Sequence, residues 1–415
     1  MNAPASVLVV GASAGGLAVA EALRREGYAG KLTLLGAERH LPYDRPPLSK
    51  KVLAGAVQPE AALLRPAAAL ASLEAELVLG DPAVRLDAGA REVATASGRS
   101  LRAEAIVLAT GLEPRRLPGQ ERWAGVHVLR TLDDALALRA ELLAGPRLVV
   151  VGDGVLGTEI AATARGMGLA VTLVGPQAAP LASQLGPQIG GYLARLHADH
   201  GVALRLGVGV EALVGAGGRA SGVRLADGEV LPADAVVVAM GSRPAIGWLA
   251  GSGLQLGDGI VCDSRCRAAD GIYAVGDVAW WHHEGLGTGL RLENRTNAVE
   301  QGMAVAANIV GKDRPYTPVP YYWTDQFDIK IQVYGLLPAG AEVAIVEGDP
   351  ARRQFVALYG SRGKVTGVVG WNMVKPARMR RQHVVDGTPW TEVVPTSDCP
   401  SAPKPHGPDL SQLTS

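Results

Sequence analysis

Two glycine-rich segments of the same form constrain this chain of 415 residues more than any other feature. Each is a run of β-branched residues and leucine, followed by glycines and an alanine-rich stretch, and the two begin at Val7 and Leu148. The order of strand, tight turn and helix is that of a βαβ unit, whose helix N-terminus binds a pyrophosphate. The chain is therefore expected to hold two dinucleotides, most simply a flavin and a nicotinamide.

The two copies differ at one glycine. The second is complete, with Gly152, Gly154 and Gly157 at the required spacing, whereas the first has Ser13 in place of the middle glycine. Either the Ser13 hydroxyl donates a hydrogen bond to a phosphate oxygen, or the loop lies slightly further back from the pyrophosphate.

Composition excludes several kinds of partner. Lys plus Arg and Asp plus Glu number 40 each, so neither nucleic acid nor an anionic membrane is expected as a partner. The cysteines Cys262, Cys266 and Cys399 form no CxxC pair, which is typical of a reducing compartment. We expect Cys262 and Cys266 to be buried core residues rather than a metal site or a redox pair. No His or further Cys lies near Cys262 and Cys266, so no metal is expected. With no run of 18 apolar residues, the sequence predicts a soluble, cytoplasmic protein.

The distance between the copies predicts an α/β fold in which one Rossmann-like domain interrupts another. A buried strand ends at Gly111 and is followed by a connector rich in Pro and Arg, and a similar strand ends at Gly241. We place the first dinucleotide domain at 1–112 and 242–315 and the second at 113–241. A C-terminal α/β cap is expected at 316–395, and a disordered tail at 396–415.

The segment Leu41–Lys50, which ends in Pro-Pro-Leu-Ser-Lys, resembles ferredoxin reductases of the putidaredoxin reductase type, within the pyridine-nucleotide-disulfide oxidoreductase superfamily. The turn Ala109–Gly111, the pair Gly276-Asp277 and the segment Trp323–Phe327 resemble the same family. Disulfide reductases of the superfamily carry a redox-active cysteine pair, which this chain lacks. The resemblance implies a reductase that takes a hydride from NADH (or NADPH) onto FAD and passes single electrons to a [2Fe–2S] ferredoxin that feeds an oxygenase.

The resemblance places FAD at the first copy and the nicotinamide at the second. It implies FAD contacts from Gly11, Ser13, Ala14, Gly15, Gly16, Ala37, Glu38, Arg45, Lys50, Val84, Ala109, Thr110, Gly111, Arg130, Gly276, Asp277, Glu293, Arg295 and Trp323. It implies NAD contacts from Gly152, Gly154, Val155, Leu156, Gly157, Glu159 and Gly241.

Three of these residues have an alternative interpretation. Glu38 is chosen as the acid that binds the FAD ribose, about 20 residues beyond the first copy, and the alternative is a solvated carboxylate. Arg295 stands where relatives often carry an apolar residue, so its contact with the flavin is open. Trp323 either flanks the nicotinamide or flavin, or packs in the core.

Lys50 and Glu159 are the predicted catalytic residues. A lysine directed at flavin N5 stabilises the negative charge that develops during hydride transfer, and Glu159 resembles the glutamate that faces the flavin in this superfamily. We predict an ion pair between them across the domain boundary. The alternatives are a solvated surface lysine and an acid of the first helical turn.

The partner and the nicotinamide are less fully determined. Lys375, Arg378, Arg380 and Arg381 form a basic cluster that is either a docking site for an acidic ferredoxin or a solvated helix face. The strand Ala170–Val174 is followed by neither an acid for a ribose 2′-hydroxyl nor an arginine for a 2′-phosphate, and the resemblance favours NADH.

The chain is expected to be a monomer or a weak dimer. The remaining alternatives are a rubredoxin reductase, an NADH oxidase, and a redox-responsive interaction protein like the apoptosis-inducing factors.

Overall fold

The computed structural model describes residues 3–394, so the predicted tail 396–415 and Cys399 lie outside the described residues. The chain divides into two compact units, Met1–Val333 and Tyr334–Ser415. The division falls later than the predicted start of the cap at 316. The reason is that the strand Tyr321–Gln326 packs against two helices of the first unit, Val155–Gly166 and Arg295–Ile309.

The helices of the first unit are α1 (Ala14–Arg25), α2 (Lys51–Ala54), α3 (Ala67–Ala71), α4 (Leu132–Leu142), α5 (Val155–Gly166), α6 (Ala182–Asp199) and α7 (Arg295–Ile309). Short 3₁₀ helices lie at Pro46–Ser49, Pro59–Ala62, Gln120–Arg122, Gly247–Leu249, Gly276–Val278 and Glu284–Leu286.

The strands before the second copy are β1 (Ser6–Val10), β2 (Lys31–Gly36), β3 (Glu76–Leu79), β4 (Ala83–Asp87), β5 (Glu92–Thr95), β6 (Ser100–Arg102), β7 (Ala105–Leu108), β8 (Leu112–Pro114) and β9 (Val126–His127). The following strands are β10 (Leu148–Val151), β11 (Val171–Gly175), β12 (Ala203–Leu206), β13 (Val210–Ala216), β14 (Arg219–Leu225), β15 (Val230–Pro232), β16 (Ala235–Val238) and β17 (Ser242–Pro244). The last are β18 (Leu256–Gly257), β19 (Gly259–Cys262), β20 (Arg267–Ala269), β21 (Ile272–Ala274), β22 (Ala279–His283), β23 (Thr288–Leu290), β24 (Tyr321–Gln326) and β25 (Ile329–Gly335), within which the first unit ends.

A six-stranded sheet, in the order β20-β21-β7-β1-β2-β3, contains the first copy. Its strands from β21 to β3 are parallel, and β20 is antiparallel to β21. The strand β21 comes from the far side of the second copy, and it pairs with β7 through Ile272 and Ile106. The side chains of β1 from Val7 to Val10 are buried, as expected of a parallel strand covered on both faces.

A second sheet, in the order β12-β11-β10-β16-β9, is parallel throughout and contains the second copy. The antiparallel ribbon of β8 and β17 joins the segments where the chain passes from one sheet to the other and back. In both sheets the carboxyl end of the central strand leads directly into the fingerprint helix, α1 after β1 and α5 after β10. Ligands of doubly wound sheets bind at such carboxyl ends.

The described part of the second unit is an antiparallel sheet of β26 (Glu342–Asp349), β27 (Gln354–Ser361) and β28 (Lys364–Trp371). The helix α8 (Val374–Asp386) packs on β28, and the short helix α9 (Trp390–Val393) follows it. A 3₁₀ turn at Pro350–Arg352 links β26 to β27. Across residues 3–394, no helix combines the length and the apolar composition that a bilayer crossing requires.

Candidate active site

A cavity of about 840 Å³ lies at the carboxyl ends of the two parallel sheets, and residues of both fingerprints line it. Its volume is near the upper end of the range for ligand and cofactor pockets. The predicted FAD residues in its wall are Gly11, Ser13, Ala14, Gly15, Ala37, Glu38, Arg45, Lys50, Ala109, Thr110, Gly111, Arg130, Gly276, Asp277, Glu293, Arg295 and Trp323. The predicted NAD residues in the same wall are Gly154, Val155, Leu156, Glu159 and Gly241.

Three predicted glycines do not line the cavity, because they pack the chain against itself. A Cβ on Gly16 would overlap the carbonyl oxygen of Gly11, and a Cβ on Gly157 would overlap that of Gly152. Gly152 has a φ of +123°, and a Cβ there would overlap the carbonyl oxygen of Ala239. These glycines allow the fingerprint helix and turn to approach each other closely, and their predicted contacts with the dinucleotides stay predictions.

Val84, which the resemblance places beside the adenine through its backbone, does not itself line the cavity. The cavity wall in this region contains its neighbours Pro82 and Ala83, and Val84 is 48% exposed. A backbone contact of Val84 with an adenine stays a prediction.

The N-termini of α1 and α5 border the cavity without a side-chain cap. Ser13 and Gly154 are the N-cap residues, and neither makes a side-chain hydrogen bond to its helix. In contrast, Thr131 caps α4 and Asn294 caps α7. First-turn N–H groups that no side chain accepts from are available to a phosphate, which the helix dipole also favours. This arrangement suits the pyrophosphate of a dinucleotide at each helix.

The predicted ion pair between Lys50 and Glu159 is present. The Lys50 Nζ lies 2.7 Å from Glu159 Oε2, and the two side chains are only 19% and 6% exposed. Lys50 follows a rigid Pro-Pro turn in a 3₁₀ helix, and it also donates to the Pro46 carbonyl at 3.2 Å. The Ser49 hydroxyl donates to the same Glu159 oxygen at 2.6 Å. One cation and one hydroxyl therefore hold Oε2 of a nearly buried carboxylate.

A chain of buried polar groups continues from the other oxygen of Glu159. The Thr324 hydroxyl donates to Glu159 Oε1 at 2.7 Å, and it accepts from Gln326 Nε2 at 3.1 Å. Gln326 Nε2 also donates to the Thr158 hydroxyl at 2.8 Å. The Gln326 Oε1 is then an acceptor for the Nε2–H of His197, at 2.8 Å.

His197 is held neutral at the end of this chain. Burial lowers its pKa to about 4, although the hydrogen bond to Gln326 acts in the opposite direction. Its Nδ1 is buried and has no hydrogen-bond partner among the described residues. A proton on Nδ1 would therefore be both desolvated and unpaired.

Three more ion pairs line the cavity. Arg45 Nη2 lies 2.7 Å from Glu38 Oε1, and the Tyr43 hydroxyl donates to the other Glu38 oxygen. The remaining pairs are Arg295 with Asp44, at 2.9 Å, and Arg130 with Asp277, at 3.7 Å. Burial raises the pKa of Asp277 and lowers the pKa of Arg130. Each arginine in the wall thus has a carboxylate that keeps its charge balanced.

The two described cysteines lie in the hydrophobic core, as the sequence predicts. Cys262 and Cys266 are buried, and burial raises the pKa of both thiols, that of Cys266 to about 12. The described residues contain no group of three or more metal-ligating side chains.

Trp323 lines the cavity, and its ring stacks with the ring of Tyr321. The two ring centroids are 6.0 Å apart.

The basic cluster lies on α8 of the second unit, as a helical spacing predicts. Lys375, Arg378 and Arg381 are exposed, whereas Arg380 is half-buried and pairs with Glu347 at 2.6 Å. Arg380 is therefore neutralised within its own unit.

Several side chains of the site were not predicted. Thr324 and Gln326 lie in the segment that carries the family resemblance, but only Trp323 of that segment was selected. Ser49 precedes Lys50 in the resembling decapeptide, and Tyr43 lies near its start. His197 has no signal in the sequence, because its contact with Gln326 joins residues 129 positions apart.

These features are those of a two-dinucleotide oxidoreductase, and the family comparison agrees. The family model of the pyridine nucleotide-disulphide oxidoreductases matches residues 5–302, and a reductase C-terminal model matches residues 321–394. The chain belongs to the pyridine nucleotide-disulphide oxidoreductase family. It is an FAD-dependent oxidoreductase whose second cofactor is NAD(P)H. The predicted family, fold class and cofactors are confirmed.

The chain is similar over most of its length to reductases of known systems. It is 39% identical to rhodocoxin reductase of Rhodococcus erythropolis, over 83% of this chain and 81% of that protein. It is 36% identical to the ferredoxin–NAD(+) reductase component of the anthranilate 1,2-dioxygenase system of Burkholderia cepacia, over 92% and 94%. The crystal structure of the covalent putidaredoxin reductase–putidaredoxin complex matches with a TM-score of 0.89 at 33% identity, over 94% of each chain.

Proposed function

We propose that this protein is a ferredoxin–NAD(P)+ reductase that serves a [2Fe–2S] ferredoxin of an oxygenase system. The observation that carries the proposal is the single cavity lined by both fingerprints, with the Lys50–Glu159 pair in its wall. FAD, when bound, takes a hydride from a reduced nicotinamide and releases its electrons one at a time. The relatives that match most of the chain include reductases of ferredoxin-dependent systems.

The proposed FAD site is the part of the cavity around α1. The uncapped N-terminus of α1 and the Ser13 hydroxyl would bind a pyrophosphate, and Glu38 would accept a hydrogen bond from a ribose hydroxyl. Arg45, Arg130 and Asp277 would bind the remaining polar groups of the cofactor. The proposed NAD(P) site is formed by the N-terminus of α5, from Gly154 to Leu156, and by Gly241.

Lys50 supplies positive charge at the meeting point of the two sites. Because it is fixed by Glu159 and by the Pro46 carbonyl, it does not need to reorganise when negative charge develops nearby. Glu159 orients Lys50, and its carboxylate is itself fixed by the hydroxyls of Ser49 and Thr324. The catalytic assignment of both residues rests on this geometry and on their positions in the family pattern.

The two described cysteines favour an electron acceptor outside the chain. Reactive thiols are thiolates of lowered pKa, whereas the pKa of Cys262 and of Cys266 is raised by burial. An iron–sulfur ferredoxin accepts single electrons and needs no thiol of the reductase.

The proposed docking surface for the ferredoxin consists of Lys375, Arg378 and Arg381 on α8. The three cations are exposed, and the fourth predicted residue, Arg380, already has a partner. Charges at the rim of an interface raise the association rate, and the effect weakens with salt. The triple change of these residues to glutamine is expected to lower kcat/KM for ferredoxin at low salt, and to lower its dependence on ionic strength. Equal salt dependence in both proteins would contradict docking at this surface.

With this function we propose domain borders at 112/113, 241/242 and 315/316. We also propose that the protein is a monomer or a weak dimer in the cytoplasm, away from membranes. The ribbon of β8 and β17 supports the first two borders. The reductase C-terminal model, which matches from residue 321, supports the third, although the compact units divide later, after Val333. The zero net charge supports a protein with no bulk attraction to anionic surfaces. Light scattering of the purified protein at micromolar concentration tests the oligomeric state.

The test of the function is reduction of cytochrome c by NADH or NADPH, with purified [2Fe–2S] ferredoxin added or left out. Strong acceleration by ferredoxin is the expected result. Acceleration by rubredoxin alone, or rapid consumption of oxygen without ferredoxin, identifies one of the other enzymes. No acceleration by any carrier, together with a change of oligomeric state on adding NADH, contradicts the proposal and identifies an interaction protein.

A further inference from the structure

The two fingerprints are aligned residue by residue through their hydrogen bonds. The N–H of Gly11 donates to the Leu35 carbonyl, and the N–H of Gly152 donates to the Val174 carbonyl, each at 2.7 Å. The residue after each glycine, Ala12 or Asp153, is therefore equivalent in the two copies. The residues that end β2 and β11, Gly36 and Gly175, are likewise equivalent.

The acidic residue of each glycine-rich copy stands at a different position: after the second strand in the first copy, and in the fingerprint loop in the second. In the first copy, Glu38 stands two residues after Gly36, and the fingerprint carries the small Ala12. In the second copy, Gln177 stands two residues after Gly175, and the fingerprint carries Asp153. The acid expected after the strand is thus absent from the second copy, and an acid is present in the loop beside it.

The space at the end of the strand accounts for this exchange. A Cβ on Gly36 would lie 2.9 Å from the Cβ of Ala12. A Cβ on Gly175 would overlap the carboxylate of Asp153. The Asp153 side chain therefore occupies the space into which a side chain at the end of β11 would project.

Asp153 is joined to Gln177 by two hydrogen bonds. The Gln177 backbone N–H donates to Asp153 Oδ2 at 2.9 Å, and the Gln177 side-chain amide donates to Oδ1 at 2.8 Å. Gln177 Oε1 accepts from the N–H of Ser183 at 2.6 Å, near the start of α6. Asp153 is 4% exposed and Gln177 is half-buried, so the carboxylate lies directly behind the amide.

We propose that Asp153, together with Gln177, determines the coenzyme preference at the second copy and favours NADH over NADPH. The proposal rests on the proposed function, since it requires a nicotinamide dinucleotide at this fingerprint. The acid at the end of the second strand distinguishes a ribose 2′-hydroxyl from a 2′-phosphate. Asp153 supplies this negative charge from the fingerprint loop, and Gln177 supplies the polar group at the equivalent of Glu38. A 2′-phosphate would meet like charge here, and residues 175–183 contain no lysine or arginine to offset it.

The test is calorimetric titration of the FAD-loaded protein with NAD+ and with NADP+, which measures binding without turnover. The wild type is expected to bind NAD+ more tightly. The D153A variant is expected to narrow the ratio of the two dissociation constants by about tenfold or more. The double variant D153A/Q177E places the residues of the first copy in the second, and it is expected to restore the ratio. D227A removes an exposed acid from the turn after β14 of the same domain, and it serves as the matched control.

The outcomes separate this inference from the proposed function. If the wild type binds neither dinucleotide, the proposed function fails. If it binds both with equal affinity, or if D153A leaves the ratio unchanged, the inference is wrong while the function stands. If D153A/Q177E does not regain the preference for NAD+ over NADP+, the inference is also wrong, because this result is expected when Asp153 serves only the structure of the loop. If D153A does not retain FAD, D153N keeps the side-chain volume and is expected to narrow the ratio in the same way.

Discussion

The neutral state of His197 makes the stability of the protein depend on pH in a defined direction. Its folded pKa is about 4, against 6.5 for an unperturbed histidine, so the unfolded chain binds the proton more readily. Stability from this group is full above pH 6.5 and is lost as the pH falls towards 4. The loss relative to pH 8 is about 2 kcal/mol at pH 5, and it approaches about 3 kcal/mol at lower pH.

The variant His197→Gln removes the titrating group and keeps a side chain long enough to reach Gln326. The entropy of unfolding scales with chain length. For a unit of 333 residues, a change of about 0.7 kcal/mol in the free energy of unfolding therefore shifts the melting temperature by about one degree. The melting temperature of the variant relative to wild type is therefore expected to rise by about 3 °C between pH 8 and pH 5.

The assay is thermal unfolding of the FAD-loaded proteins, followed by flavin fluorescence, at half-unit steps of pH. His282 is exposed on β22, and His282→Gln is the control that should follow the wild type at every pH. A constant difference between His197→Gln and wild type across the range would refute the reasoning, because it would mean that His197 is protonated equally in both states.

Two further pairs of substitutions test the polar chain and the packing. Thr324→Val removes a donor to the nearly buried Glu159, and it should cost about 1.5–3 kcal/mol and lower the melting temperature by about 2–4 °C. Thr33→Val, whose hydroxyl donates to the exposed Glu76, should change the melting temperature far less. Gly157→Ala forces a Cβ into backbone and should abolish soluble expression, whereas Gly154→Ala meets no protein atom within 4 Å and should fold but raise the KM for NADH.

Local patterns were sufficient to predict the two sheets with their helices, and the family pattern led to the ion pair between Lys50 and Glu159. Fingerprint glycines and buried strands are short-range signals, since neighbouring residues carry the whole pattern. Gly16, Gly152 and Gly157 do not line the cavity, and a Cβ on each of them would overlap a backbone carbonyl oxygen. A spacing rule does not distinguish a backbone that approaches a phosphate from one that approaches another carbonyl.

The residues that were missed belong to long-range contacts. Ser49 and Thr324 reach Glu159 from 110 and 165 positions away. Both lie in segments that carry the family resemblance, but no local pattern indicates that either contacts Glu159. The relation of Asp153 to Gly175 is similar. The sequence shows a strand end without an acid, and only the three-dimensional register places the Asp153 carboxylate in the same space.

The assignment of Lys50 to the meeting point of the two dinucleotide sites is tested by anaerobic stopped-flow reduction of the bound flavin by NADH. The variant Lys50→Met is expected to retain FAD and to reduce it at least about 10²-fold more slowly than wild type, because one fixed electrostatic donor is lost. The adjacent Lys51, which is exposed, provides the matched control Lys51→Met, whose rate should stay within about twofold of wild type. Flavin reduction at the wild-type rate in Lys50→Met would contradict the assignment.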